Sequence, residues 1–347
     1  MLLVQASPEL QIEIRKIINE DVNRKEQDLE TIKEWLRKQP HLPNTWDEAR
    51  LKSFLRGCNY SLERCKSKLD MYFTMRGLVP EIFSNRDIFR PEMQEIVKIA
   101  DFVVMPNLTP DGKRVTIIAA SKFDFDTPDI ANFCKLVFMI GDVRLEVEKC
   151  GIAGDVYVLD ADLDLPKHFL KVSLTMLKKF IICAQKAYPT KIKEIHIVNQ
   201  TPLVDFAVAT LKPFFKEKIR DRLHMHPDLE TLHRFVPKEV LPEEYGGTAG
   251  KLEVFKAKWI KKLEECTPWF KEQENVKSDE SKRPGKPTNY EDLFVLPNLA
   301  PDDKRVFIPS AAKFDFDTPD MANFFKTVFM VADIRMKAEE YSLDLRC

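Results

Sequence analysis

Residues 188–226 read YPTKIKEIHIVNQTPLVDFAVATLKPFFKEKIRDRLHMH, and the order of elements in this stretch decides the fold. EIHIVNQ is a short run rich in β-branched residues and predicts a strand. PLVDFAVATLKPFF follows with helical spacing, and IRDRLHMH alternates again as a second strand. Strand, helix, strand within forty residues predicts an α/β layer. The helix over 203–215 is apolar nearly all round, through Leu203, Val204, Phe206, Val208, Leu211, Phe214 and Phe215. Such a helix is either buried or faces something other than water. Cations flank it. Lys191 and Lys193 alternate on the approach to the first strand, and Lys216, Lys218, Arg220 and Arg222 alternate on the approach to the second. They form either a solvated rim or a surface that pairs with anionic headgroups while the apolar helix enters a bilayer.

The pattern continues upstream. DFVVMPNL and KRVTIIAASKF flank a TPDG turn and predict a hairpin, and TPDIANFCKLVFMIGDVRLEVEK predicts a helix capped by Thr127 with Pro128 at its first position. GDVYVLDAD predicts a buried strand and HFLKVSLTMLKKFIICAQKAYP a long apolar helix. Residues 8–80 instead read as a helical module. Leu29, Ile32, Trp35 and Leu36 share one face; Leu51, Phe54 and Leu55 share another before Gly57; Leu62, Cys65, Leu69, Tyr72 and Phe73 form a stripe behind a Ser61 cap. Downstream, LETLHRFV predicts a short helix, 251–270 an amphipathic one, and the charged run 271–292 a disordered linker.

The 347 residues carry 54 Lys and Arg against 55 Asp and Glu, which gives no global drive toward nucleic acid. Seven scattered cysteines without CxxC spacing argue for a reducing, cytoplasmic setting and against a zinc site. No run reaches the roughly 18 apolar residues of a membrane span, so membrane contact is expected to be transient and peripheral. Enzyme signatures are missing: there is no GxSxG, no GxxxxGK[ST] and no GxGxxG. Asp160, Asp162 and Asp164 mimic a calcium loop, but Leu165 and Lys171 stand where such a loop needs Gly and Glu. His224 and His226 lack an evident third ligand and read as structural. The reading is of a protein with no catalytic residue, no cofactor and no metal.

The strings YP…IHIVN, LKPFF and LPEEYGG in this order resemble the CRAL-TRIO lipid-transfer family, and DEARLKSFLRGCNYSLERCKSKLDMYFTMRGLVPEIF resembles its N-terminal helical module. The similarity runs from about residue 20 to 265, nearest to the insect-type α-tocopherol transfer protein and retinaldehyde-binding branch. The resemblance implies a helical lobe followed, over 95–250, by an α/β lobe whose mixed sheet floors an apolar cavity under a mobile helical gate, here 203–215. It implies a cavity lined by Phe133, Leu136, Val137, Ile140, Leu159, Phe180, Cys183, Ala184, Tyr188, Ile192, Ile195, Phe206 and Leu211. It also implies a phosphoinositide site at Lys191, Lys193, Lys218 and Arg222, although a further arginine of that cluster is replaced near Cys58. The implied function is that of a monomeric, non-enzymatic carrier of a tocopherol, retinoid or phospholipid, exchanging it at anionic membranes, those bearing phosphatidylinositol bisphosphate among them. The alternative is a lipid-sensing scaffold that does not transfer its ligand.

KFDFDTPDIANF (122–133) returns as KFDFDTPDMANF (313–324), and from Pro106 and Pro297 onward the copies agree at 28 of 44 positions. Residues 293–347 therefore read as a truncated duplicate of 102–156, without the strands that would complete a sheet. Pro309 falls in a strand interior, where it removes a ladder hydrogen bond, so the piece is expected to dock poorly.

Overall fold

The computed structural model describes residues 2–44, 46–120, 129–162, 174–200 and 217–289, together with 204, 205, 208, 209, 212 and 215. The duplicated segment and Pro309 lie outside them. Helices α1 (Pro8–Ile18), α2 (Lys25–Arg37), α3 (Glu48–Gly57), α4 (Leu62–Leu78), α5 (Pro80–Phe83) and α6 (Pro91–Ile99) build the N-terminal lobe. The stripes read from the sequence close one core: Leu29, Ile32 and Leu36 meet Leu51, Phe54 and Leu55, and both meet Cys65, Leu69, Tyr72 and Phe73. Two end signals act differently from the sequence reading. Ser61 stands at the N-cap of α4 without a side-chain cap bond. Gly57 does not turn the chain out of α3; Asn59 and Tyr60 take the left-handed φ values of 54° and 52° beyond it. Glycine is needed at 57 for another reason, since a Cβ there would lie 2.1 Å from the Pro189 carbonyl oxygen.

The TPDG hairpin forms as expected, with β1 (Ala100–Leu108) antiparallel to β2 (Lys113–Ala120) and Gly112 at φ 80° in the turn. Next come α7 (Ile130–Val147), β3 (Gly154–Asp160), α8 (Leu174–Ile182) continuing into a π-helical turn at Cys183–Ala187, and β4 (Ile192–Val198). Then follow α9 (Glu217–Arg220), β5 (Leu223–Met225), α10 (Leu229–His233), α11 (Leu252–Glu265) and α12 (Thr267–Glu272). The helix α7 starts behind Asp129, whose carboxylate accepts from the Ala131 amide; Thr127 and Pro128 lie outside the described residues. The single helix expected over 251–270 is two, with Pro268 in the first turn of the second.

Strand order is β1-β2-β3-β4-β5, parallel throughout after the first pair. Because the order never reverses, right-handed crossovers put α7 and α8 on the same face. The α8 helix leans on α7 and on the π-turn, which packs against α4, and stands off the strands. That leaves space between helix layer and sheet. On the opposite face Val115, Ile117, Val156 and Val158 pack into a core shared with Leu232, Val236, Val240, Leu241 and Tyr245.

Three expectations are corrected. IRDRLHMH is not one strand: 217–220 is a helical turn, so Lys218, Arg220 and Arg222 do not alternate on a pleat. Ile219 and Leu223, four apart, both border the same apolar space, a placement that helical and extended spacing allow alike. Residues 271–289 are not a free linker. Arg283 pairs with Asp70 at 2.8 Å, the Ser278 amide donates to the Phe73 carbonyl and the Asp279 amide to that of His41, while Val276 packs against the N-terminal core, so this charged run is held on the helical lobe by specific contacts. Lys191 and Lys193 do not project together, for a reason that appears at the site below.

His196, fully buried on the outer face of β4, shares a hydrogen bond of 2.8 Å with His226 and one of 3.0 Å with Glu194, while His224 stacks on it at 5.1 Å and Phe235 covers all three. Among the described residues no group of His, Cys, Asp and Glu could hold a metal. Burial pushes His196 down to about 4, against the raising pull of Glu194. Since the folded value lies below the unfolded one of about 6.5, the contribution to stability is whole above that value and fades as the pH falls from there toward 4. The melting temperature should drop by several degrees between pH 7 and 5. In His196→Phe that slope should flatten, and an unchanged slope would assign it to other groups.

Candidate functional site

The space between the sheet and α7/α8 is a cavity of about 400 Å³, within the range of small-molecule pockets. Its floor is set by the pleat. Ile118 of β2, Leu159 of β3 and Ile197 of β4 form one row in register, and Val104, Tyr157, Ile195 and Leu223 belong to the next. On β4 a bulge resets the alternation: Asp155 pairs with Ile192 and Val156 with Glu194, which leaves Lys193 as the extra residue. Ile192, three residues before Ile195, thereby reaches the cavity too.

Nine of the residues implied by the resemblance line this space. Leu159, Ile192 and Ile195 come from the floor; Phe133, Val137 and Ile140 from α7; Phe180, Ala184 and Tyr188 from α8, the π-turn and the segment behind it. Leu136 and Cys183 do not. Leu136, on another side of α7, is buried in the core that also holds Ile96, Val103 and Val104, and Cys183 is buried against the N-terminal helices. Phe206 and Leu211 lie outside the described residues. Of the apolar stretch 203–215, Val208 and Phe215 border the cavity and Val204 is buried against Ile195 and Ile197.

One end is charged. Arg144 pairs with Asp155 at 2.6 Å and approaches Glu148 at 3.6 Å, and Glu148 also takes Arg114 at 2.7 Å. Asp155 further accepts from the Lys191 amide at 3.0 Å. The Lys191 ammonium turns inward to the Ile152 and Arg56 carbonyls at 2.8 and 3.4 Å, and burial pushes it down to about 8. Its ammonium is thus engaged by backbone carbonyls, with Lys193 near enough to lower it further. Lys193 is held below its ordinary range by burial first and then by the charges of Arg222, Lys113 and Lys218. Arg222 is fixed by donating to the Ile192 carbonyl, and Lys218 is exposed on α9. Cys58, where the resemblance expects a cation, is a buried thiol held low by a hydrogen bond with Cys65.

Sequence reading missed Phe102, Val104 and Ile118 of the hairpin and Tyr157 and Asp155 of β3, which line the same cavity. The signal was present for β3, since Asp155, Tyr157 and Leu159 are two apart.

An α/β module that walls off an apolar space under helices has the architecture of a carrier for a small guest. The CRAL/TRIO domain family matches residues 100–247, and the Pinta-like UBA domain family matches residues 21–93. The mouse alpha-tocopherol transfer protein-like protein is 32% identical over 238 residues, 67% of each chain, and rat Clavesin-2 is 24% identical over 243 residues, 70% of this chain and 74% of that one. The match to the mouse protein thus spans about two thirds of its length. The crystal structure of Sfh5 aligns with a TM-score of 0.37 at 14% identity over 75% of this chain and 98% of that one, a likeness too low to bear on the fold. The chain belongs to the CRAL/TRIO family. No helix among the described residues is long and apolar enough to cross a membrane.

Proposed function

We propose that this protein is a non-enzymatic carrier that holds one small hydrophobic ligand, such as a tocopherol, a retinoid or a phospholipid, and exchanges it at anionic membranes. The observation that carries this reading is the apolar cavity between the sheet and α7/α8. Burying apolar ligand surface there is worth about 25 cal/mol per Å², a gain that would also trap the ligand without a cover that opens. The apolar stretch 203–215 is that cover, inserting into the bilayer. Lys193, Lys218 and Arg222 beside it engage anionic headgroups, phosphoinositides among them, while Lys191 supports the cavity wall.

The test is transfer of a fluorescent lipid between vesicles with and without anionic lipid. Each cation near such a surface contributes about 1 kcal/mol, so Lys193→Ala with Lys218→Ala should weaken vesicle association roughly 10-fold to 30-fold and remove most of the anionic acceleration. Lipid bound before mixing should be unaffected. Unchanged transfer by the double variant would remove these cations from the membrane contact, and a bound lipid that never exchanges would favour a sensor over a carrier.

A further inference from the structure

One row of the sheet crosses all five strands in register: Val104, Thr116, Tyr157, Ile195 and Leu223. Residues paired this way share a face, and Val104, Tyr157, Ile195 and Leu223 all line the cavity. Thr116 and Tyr157 are thus neighbours in a row that is otherwise aliphatic. The Thr116 hydroxyl is fully buried and has no partner among the described residues. The Tyr157 hydroxyl opens on the cavity and makes no hydrogen bond to a described residue. Polar groups left unpaired among apolar walls are uncommon and costly, so the Tyr157 hydroxyl on this apolar floor points to a partner that arrives with the ligand. The neighbouring charges are already engaged, with Arg144 held by Asp155 and Glu148. Burial pushes the Tyr157 hydroxyl up, so it is a neutral donor and acceptor at physiological pH.

We infer that Tyr157 is the head-group subsite of the cavity and selects an amphiphile with one neutral oxygen-bearing head, a hydroxyl or carbonyl, over a bare hydrocarbon. The inference rests on the carrier reading above and adds the orientation of the guest. The oxygen lies over the middle of β2 and β3, and the tail runs toward Phe133, Val137 and Phe180, away from the charged end. A pocket that hydrogen-bonds a hydroxyl rejects the analogue lacking it because its own polar groups are then left unpaired.

The experiment titrates the protein, stripped of endogenous lipid, with two fluorescent probes that differ in one group, pyrenyldodecanol and dodecylpyrene. The wild type should prefer the alcohol by about tenfold. Tyr157→Phe keeps the ring and should lower that preference to within about twofold while leaving affinity for the hydrocarbon unchanged. Retained hydrocarbon binding also reports that the variant is folded. Equal affinities in the wild type, or an undiminished preference in Tyr157→Phe, would overturn the subsite while leaving the carrier reading intact. Failure of the wild type to bind either probe would overturn both.

Discussion

Asp142→Ala should cost about 3–5 kcal/mol of folding stability, because it leaves two buried guanidinium groups without their counterion. Asp142 lies on α7 with no exposure and accepts from the Tyr72 and Tyr188 hydroxyls at 2.8 and 2.7 Å. The same carboxylate pairs with Arg86 at 2.6 Å and with Arg76. Burial alone would raise its proton affinity, but Arg76 and Arg86, together with the Tyr188 and Tyr72 hydroxyls, hold the carboxyl below its ordinary range. One carboxylate therefore joins α4, α7 and the segment behind the π-turn, which is to say both lobes. Tyr188, which it positions, also walls the cavity beside Phe138. Asp142→Asn keeps an acceptor for the tyrosines and should fall between wild type and the alanine variant. Urea denaturation measures both. A loss below about 1 kcal/mol for Asp142→Ala would show that the node is not a structural tie.

Ala184→Trp should abolish ligand loading while leaving the fold standing. Ala184 sits in the π-turn and its side chain meets the cavity. Added bulk in a filled core costs about 1–3 kcal/mol through strain, but here the indole has empty space to enter. Bound lipid should fall from about one per chain to a small fraction, and transfer between vesicles by tenfold or more. Thermal unfolding of the lipid-free forms should differ little. Normal loading of this variant would mean that the guest lies elsewhere.

Much of this architecture was legible in the residues. Period-2 and period-3.6 patterns gave the hairpin, α7, β3 and β4, and the stripes of α2, α3 and α4 name the core that closes the N-terminal lobe. The errors have physical causes. Ile219 and Leu223 satisfy helical as well as strand spacing, so the spacing alone does not decide between the two. The bulge at Lys193 comes from pairing with β3, so no local pattern in 191–197 shows that Lys191 turns inward while Ile192 and Ile195 share a face. The run 271–289 has the composition of a linker, yet Arg283 finds Asp70 more than two hundred residues away, a contact invisible to composition. Leu136 and Cys183 were placed in the cavity by resemblance, but an apolar helix offers several faces and the packing of the N-terminal lobe claims theirs.

The central claim is that the cavity carries a lipid. Native mass spectrometry of the protein purified from its own cells measures this most directly, with Ala184→Trp prepared in parallel. The account predicts one noncovalent lipid per wild-type chain, released to acceptor vesicles, and almost none on the variant. A wild-type chain that is empty and takes up no lipid from donor vesicles, or a variant that carries as much lipid as the wild type, would contradict it.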